Sequence, residues 1–184
     1  MDNTNELILP AGMTRENTCC FTGHRTIPER DLAFVREKTV HAVRLLSSCG
    51  FRFFLCGGAV GFDMLAEDVI AEEAAKNSSV SLVLAIPCRN QTENWLKAGK
   101  GGTSAIREYM RLKAAAESVI YLHDFYFDGC MRERNQFMVD NSSFCVAYYN
   151  GSFRSGAGQT FRMAQKAGLK IYNIYGLSGT AHEN

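Results

Sequence analysis

The feature that most constrains this chain is an alternation. Six short apolar runs, at residues 18–23, 51–56, 81–87, 118–123, 144–149 and 170–175, are separated by helical patterns at 29–48, 62–76, 103–117, 131–141 and 160–167. Runs rich in Val, Ile, Phe and Tyr and apolar on both sides suit strands covered on both faces of a sheet. The alternation predicts an α/β fold: a Rossmann-like, doubly wound, mainly parallel sheet of about six strands with helices on both faces and right-handed crossovers. With 184 residues, 46% of them hydrophobic, the chain has the size of one domain. A domain of that length buries roughly 70% of the surface its unfolded chain exposes, so it needs neither disulfide nor metal to fold. One domain over residues 18–176 is predicted, between a loose polar leader at 1–17 and a polar tail at 177–184.

The two ends of such a sheet differ in chemistry. The helix-to-strand links (SSCG, KNSS, AES, NSS, KAGL) are short and bland. The strand-to-helix links (TGHRTIPER, GGAVGFD, PCRNQTENW, HDFYFDGCMRER, YNGSFRSGAGQT) gather the glycines, arginines, histidines and amides. Ligands of open α/β sheets bind beyond the carboxyl ends of the strands, so the asymmetry places a site there.

The net charge of +1 argues against a strongly basic nucleic-acid surface, and nucleic acid is not expected as a partner. Seven cysteines without a CxxC pair, several inside apolar runs, read as buried thiols of a reducing cytosol. Cys20 and His24 lack the second spaced pair that a metal site requires, so no metal is expected. No apolar run approaches the ~20 residues of a membrane span, and the leader lacks the apolar core of a signal peptide. A cytoplasmic chain with no membrane partner is expected.

In GGAVGFD, Gly57 and Gly58 end a strand and Gly61 precedes a helix. Backbone N–H groups around Ala59 face an anion at the helix N-terminus, or the glycines serve only turn geometry with Asp63 as an N-cap. NGSFRSGAGQT repeats the arrangement through Asn150, Gly151, Ser155, Gly156, Gly158, Gln159 and Thr160, which favours anion or nucleotide binding by both turns. At 3.6 residues per turn, Met131, Arg134, Asn135 and Met138 share the apolar face of the helix at 131–141. An inward guanidinium is costly unless a carboxylate or an anionic ligand satisfies Arg134. Gly23, His24 and Arg25 close the first strand, and Pro87 the third. Trp95 is a core anchor or a stacking platform, and residues 97–102 read as a mobile loop able to close over the site. Asp63 and Glu67, one turn apart, allow paired carboxylates for acid–base work.

CCFTGHR, GGAVGFDMLAE, AIPCRNQTENW, CMRERNQFMVD and NG…SGAGQT, in this order over residues 18–175, resemble the YpsA-like branch of the SLOG superfamily. That superfamily groups the Smf/DprA DNA-processing proteins with the LOG phosphoribohydrolases. The resemblance implies a Rossmann-like fold with a nucleotide-type ligand over the strand ends, and a homodimer. GGAVGFD is similar to the glycine turn of the DNA-processing proteins. MRERNQFM is similar to the phosphoribohydrolase helix, which puts Arg134 at their catalytic arginine and Asn135 at their lysine. Their GGxGTxxE loop corresponds to GAGQTFRM, but Met163 stands in place of the glutamate, so hydrolysis by that route lacks its acid. The expectation is a binding domain for a nucleotide or nucleotide derivative, with no cofactor required, acting as a sensor or regulator. The alternatives are a nucleotide hydrolase using Arg134, Asp63 or Glu67, and a single-stranded DNA-binding protein.

Overall fold

The computed structural model describes residues 7–97 and 102–175. In chain order the elements are β1 (Thr18–Gly23), α1 (Glu29–Ser48), β2 (Phe53–Cys56), α2 (Phe62–Ala74), β3 (Ser81–Cys88), α3 (Gln91–Lys97), α4 (Thr103–Ala115), β4 (Ser118–His123), α5 (Cys130–Asp140), β5 (Phe144–Tyr148), α6 (Gly156–Lys166) and β6 (Lys170–Asn173). The strands form one sheet in the order β4-β3-β2-β1-β5-β6, and every pairing is parallel. The chain therefore winds outward from β1 to β4, crosses back through α5, and resumes on the other side of β1 at β5. The point between β1 and β5 is the topological switch.

Side-chain alternation explains the two faces. Cys19, Phe21, Phe54, Leu82 and Val146 pack with α1, α2 and α4, while Cys20, Phe53, Leu55, Val83 and Cys145 pack with α5 and α6. Both sets are buried, which is why these strands read as continuous apolar runs. Each such large side chain contributes about 1.5–3 kcal/mol by leaving water.

Several predicted boundaries move for local reasons. β2 starts at Phe53 because the Phe51 N–H closes the end of α1 on the Leu46 carbonyl. Asn173 ends β6, its side-chain amide bridging the backbone of Tyr149 through both Oδ1 and Nδ2. α6 begins at Gly156 instead of Thr160, because Ser155 caps it: its Oγ accepts the Gly158 N–H at 3.0 Å. The helix α3 falls inside a polar run read as loop. The leader, expected to be loose, is docked through Leu9 and residues 12–17, while Leu7 and Ile8 stay exposed. Met13 is buried against the α5/α6 side, Arg15 donates to the carbonyls of Ser142 and Ala167, and the Asn17 amide binds Gly12 and Thr14. The tail at 177–184 and most of the loop expected at 97–102 lie outside the described residues.

The end of β1 and the start of α2 cross in direct contact. The Phe62 N–H donates to the His24 carbonyl at 3.1 Å, and Gly61 adopts φ +99° where a Cβ would overlap the Arg25 backbone. Gly61→Ala is expected to cost about 3 kcal/mol from strain and overlap. The check is a lower urea midpoint with an unchanged m-value.

Candidate functional site

A cavity of about 360 Å³ opens at the switch point. Of the residues singled out in the sequence, Gly23, His24, Arg25, Ala59, Asp63, Trp95, Arg134, Asn135, Ser155, Gly156 and Thr160 line it. Phe21, Thr22, Val60, Gln91, Met131, Met138 and Ala157 complete the lining. Gly57, Gly58, Gly61, Glu67, Pro87, Asn150, Gly151, Gly158 and Gln159 do not belong to it. Their roles are supportive where the contacts define them. Pro87 is buried in β3, the Asn150 N–H donates to His24 Nε2 at 3.0 Å, and Gly158 lets α6 pass close to the Ser152 carbonyl.

The glycine turn at residues 57–61 is corrected from a phosphate cradle to an internal one. The N–H groups of Gly57 and Ala59 serve the Asp63 carboxylate, and that of Gly58 donates to Glu67 Oε1 at 2.9 Å. These donors are consumed by carboxylates of the helix that follows. Nor is Asp63 the N-cap of α2, which is Gly61.

Arg134 is 6% exposed, as the inward face of its helix predicts. Neither a carboxylate nor another charged group bonds it directly among the described residues. Nη1 instead donates to the Gly57 carbonyl, and Nε donates to Asn135 Oδ1 at 2.8 Å. Burial pulls the guanidinium pKa down from its ordinary value, and the nearby Asp63 and Glu67 offset part of that shift. Burial likewise pushes Asp63 up to about 6, against Arg134, the two turn N–H groups and Arg25, all of which favour the charged form. Glu67, enclosed and beside Asp63, is pushed up to about 8.

Opposite this group stands the first turn of α6. The Gly158 and Gln159 N–H groups are taken by Ser155, whereas those of Gly156 and Ala157 have no protein acceptor among the described residues. They line the cavity together with Arg25, whose charge also acts on Asp63 and Arg134. The Asn135 Nδ2 group is also without a protein acceptor among the described residues. His24 accepts at Nε2, which leaves Nδ1 as its donor. Trp95 settles as an anchor, T-shaped against Tyr109 at 5.3 Å, that also lines the cavity. Met163 packs among apolar side chains under the sheet, and Asp63 is the one carboxylate lining the cavity among the described residues. Among the described residues no group of three or more His, Cys, Asp or Glu has the arrangement of a metal site. No helix there is long and apolar enough to cross a membrane.

The family model YpsA, described as the YspA SLOG family, matches residues 21–178. The chain belongs to this family. It is 26% identical over 128 residues to YoqJ, an uncharacterized SPbeta prophage-derived protein of Bacillus subtilis strain 168, covering 63% of this chain and 71% of YoqJ. Two solved structures share the fold. DNA processing protein A of Helicobacter pylori, for which a single-stranded DNA binding mode is described, superposes with a TM-score of 0.58 at 16% identity over 84% of this chain. DNA processing protein A of Streptococcus pneumoniae gives a TM-score of 0.59 at 13% identity over 85%. The chain spans 63% and 49% of the lengths of these two proteins.

The sign of the pH dependence follows from the raised acids. Between the ordinary pKa of Asp63 and about 6, the folded chain holds that proton more tightly than the unfolded chain does, so stability falls as pH rises through this window. Removing Arg134 pushes Asp63 further up and widens the window. Arg134→Ala is therefore expected to cost about 3–5 kcal/mol at about pH 8 and clearly less at about pH 5. Chemical denaturation at the two pH values measures the difference; equal penalties would refute the coupling.

Proposed function

We propose that this SLOG-family chain binds a nucleotide or nucleotide-derived ligand at the switch-point cavity and acts as a sensor or regulator. The observation that carries the reading is the polarity of the cavity. The lining offers the Gly156 and Ala157 N–H groups and Arg25, a fit for phosphate. It also offers Asp63 and the Asn135 amide, which fit hydroxyls and a base edge, with Trp95, Met131 and Met138 as apolar surface. The phosphate is assigned to α6, since the Gly57, Gly58 and Ala59 N–H groups of the glycine turn serve Asp63 and Glu67.

A hydrolase is the second reading, and Asp63 its candidate acid–base, because it is the lining carboxylate and its pKa of about 6 suits proton transfer near neutrality. Incubation with nucleoside monophosphates and chromatography for the free base tests turnover. Single-stranded nucleic acid is a third reading. Phe125, Tyr126, Phe127 and Phe153 stand exposed on loops at the same end of the sheet, and Arg162 stacks over Phe153 at 4.0 Å. Exposed aromatics with arginine are the usual stacking platforms for bases, which outweighs the balanced net charge as an argument. The H. pylori neighbour's described DNA binding points the same way. Oligonucleotide binding that weakens steeply with salt would support this reading.

For the leading reading, AMP, NAD, ADP-ribose and a cyclic dinucleotide form the panel. A ligand at a hundredfold excess over its Kd adds ~2.7 kcal/mol, a rise in Tm of roughly 5–10 °C for a domain of this size. Arg25→Ala, at an exposed position, is expected to weaken that ligand on the order of tenfold with only a small change in the unliganded Tm. No shift with any member of the panel would sink the proposal.

A further inference from the structure

Glu67 is fully buried but lies behind the cavity instead of lining it. Its Oε1 accepts the Gly58 N–H, and its Oε2, equally buried, has no partner among the described residues. Gln91, in the first turn of α3 and also buried, grips the same glycine from its other end. Its Nε2 donates to the Gly58 carbonyl at 2.6 Å, and its Oε1 is buried without a partner. Two orphan acceptors on side chains that clasp one residue are a costly arrangement. Turning the Gln91 amide over gives no relief, because its oxygen would then oppose the Gly58 carbonyl. The missing element is a donor, and one proton supplies it.

The surrounding charges agree. Asp63 lies beside Glu67 on α2, Arg134 reaches it from α5, and Glu108 faces it from α4. The Cys56 thiol of β2 and the Tyr109 hydroxyl of α4 are the other titratable neighbours. Ionised Asp63 and Arg134 already balance each other, so a second carboxylate would leave uncompensated negative charge in the interior.

We propose that Glu67 is a protonated positioning residue whose Oε2–H donates to Gln91 Oε1, and that this Glu67–Gly58–Gln91 clasp holds α3 as one wall of the cavity. Its pKa of about 8 keeps the proton in place at neutral pH. On the alkaline side Glu67 gives up the proton to solvent, its carboxylate faces the Gln91 oxygen without a donor between them, and α3 loosens. Trp95, on α3 and edge-on against Tyr109, moves with it. The clasp acts on the empty cavity, so it stands or falls independently of which ligand the cavity takes.

Trp95 is the only tryptophan of the chain, and its emission reports on α3 alone. In the ligand-free protein, titrated from about pH 6.5 to about 9.5, Trp95 emission is expected to shift to the red through a single-proton step, with acrylamide quenching rising about twofold. Glu67→Gln keeps the donor but cannot titrate, and is expected to hold the low-pH spectrum throughout, with an unchanged far-UV circular dichroism. Gln91→Leu is expected to show the high-pH spectrum already at the acid end. A flat wild-type titration, a step that survives in Glu67→Gln, or a wild-type step in Gln91→Leu overturns the proposal. Should Glu67→Gln not fold, the infrared stretch of a protonated carboxyl in the wild type decides. Its presence at neutral pH and loss on the alkaline side supports the clasp, and its absence at neutral pH refutes it.

Discussion

The interior contact on which the site depends is the one between Arg134 and the glycine turn. Arg134 belongs to α5, on one face of the sheet, and the turn leads into α2, on the other. The guanidinium passes over the carboxyl ends of the strands to reach the Gly57 carbonyl, and so ties the two helical layers together at the switch point. That contact needs Gly57 itself, since a Cβ there would overlap Nη1 and crowd Asp63. The Asp63 charge beside the turn then compensates a cation that no direct ion pair neutralises among the described residues. A buried charge supported by peptide dipoles and a nearby opposite charge is stable only while all of its partners are in place.

This arrangement divides labour between two glycine-rich turns that look alike in sequence. The first has turned inward, its Gly57, Gly58 and Ala59 N–H groups directed at the carboxylates at positions 63 and 67. The second keeps two N–H groups for the cavity, because Ser155 satisfies the others. The proposed anion site and the structural support thus fall on separate turns. Substitution in the first is expected to act through folding, and in the second through binding.

Much of the fold was legible because its signals are local. The apolar runs at 18–23 and 118–123 and the helical pattern at 29–48 coincide with β1, β4 and α1. Arg134 and Asn135 were legible for a related reason: polar residues on the apolar arc of a helix are a conflict that only burial with partners resolves. What could not be read was the direction in which donors point. Glycine announces a close approach without naming what approaches, and here it is an arginine 77 positions away. Gln91 was missed because its short helix sits in a polar run, and its burial comes from tertiary packing alone. The docking of Met13 and Arg15 was missed likewise, since two anchoring residues in a polar leader leave no periodic trace.

Six of the seven cysteines are buried, and Cys49 alone is exposed. It sits at the end of α1, before β2, and therefore at the amino edge of the sheet, on the far side of the molecule from the cavity. This single accessible thiol accepts one maleimide-linked dye or spin label without touching the site. It also means that a covalent dimer formed in air would be joined through Cys49, so any self-association of this chain is to be judged in the presence of reductant.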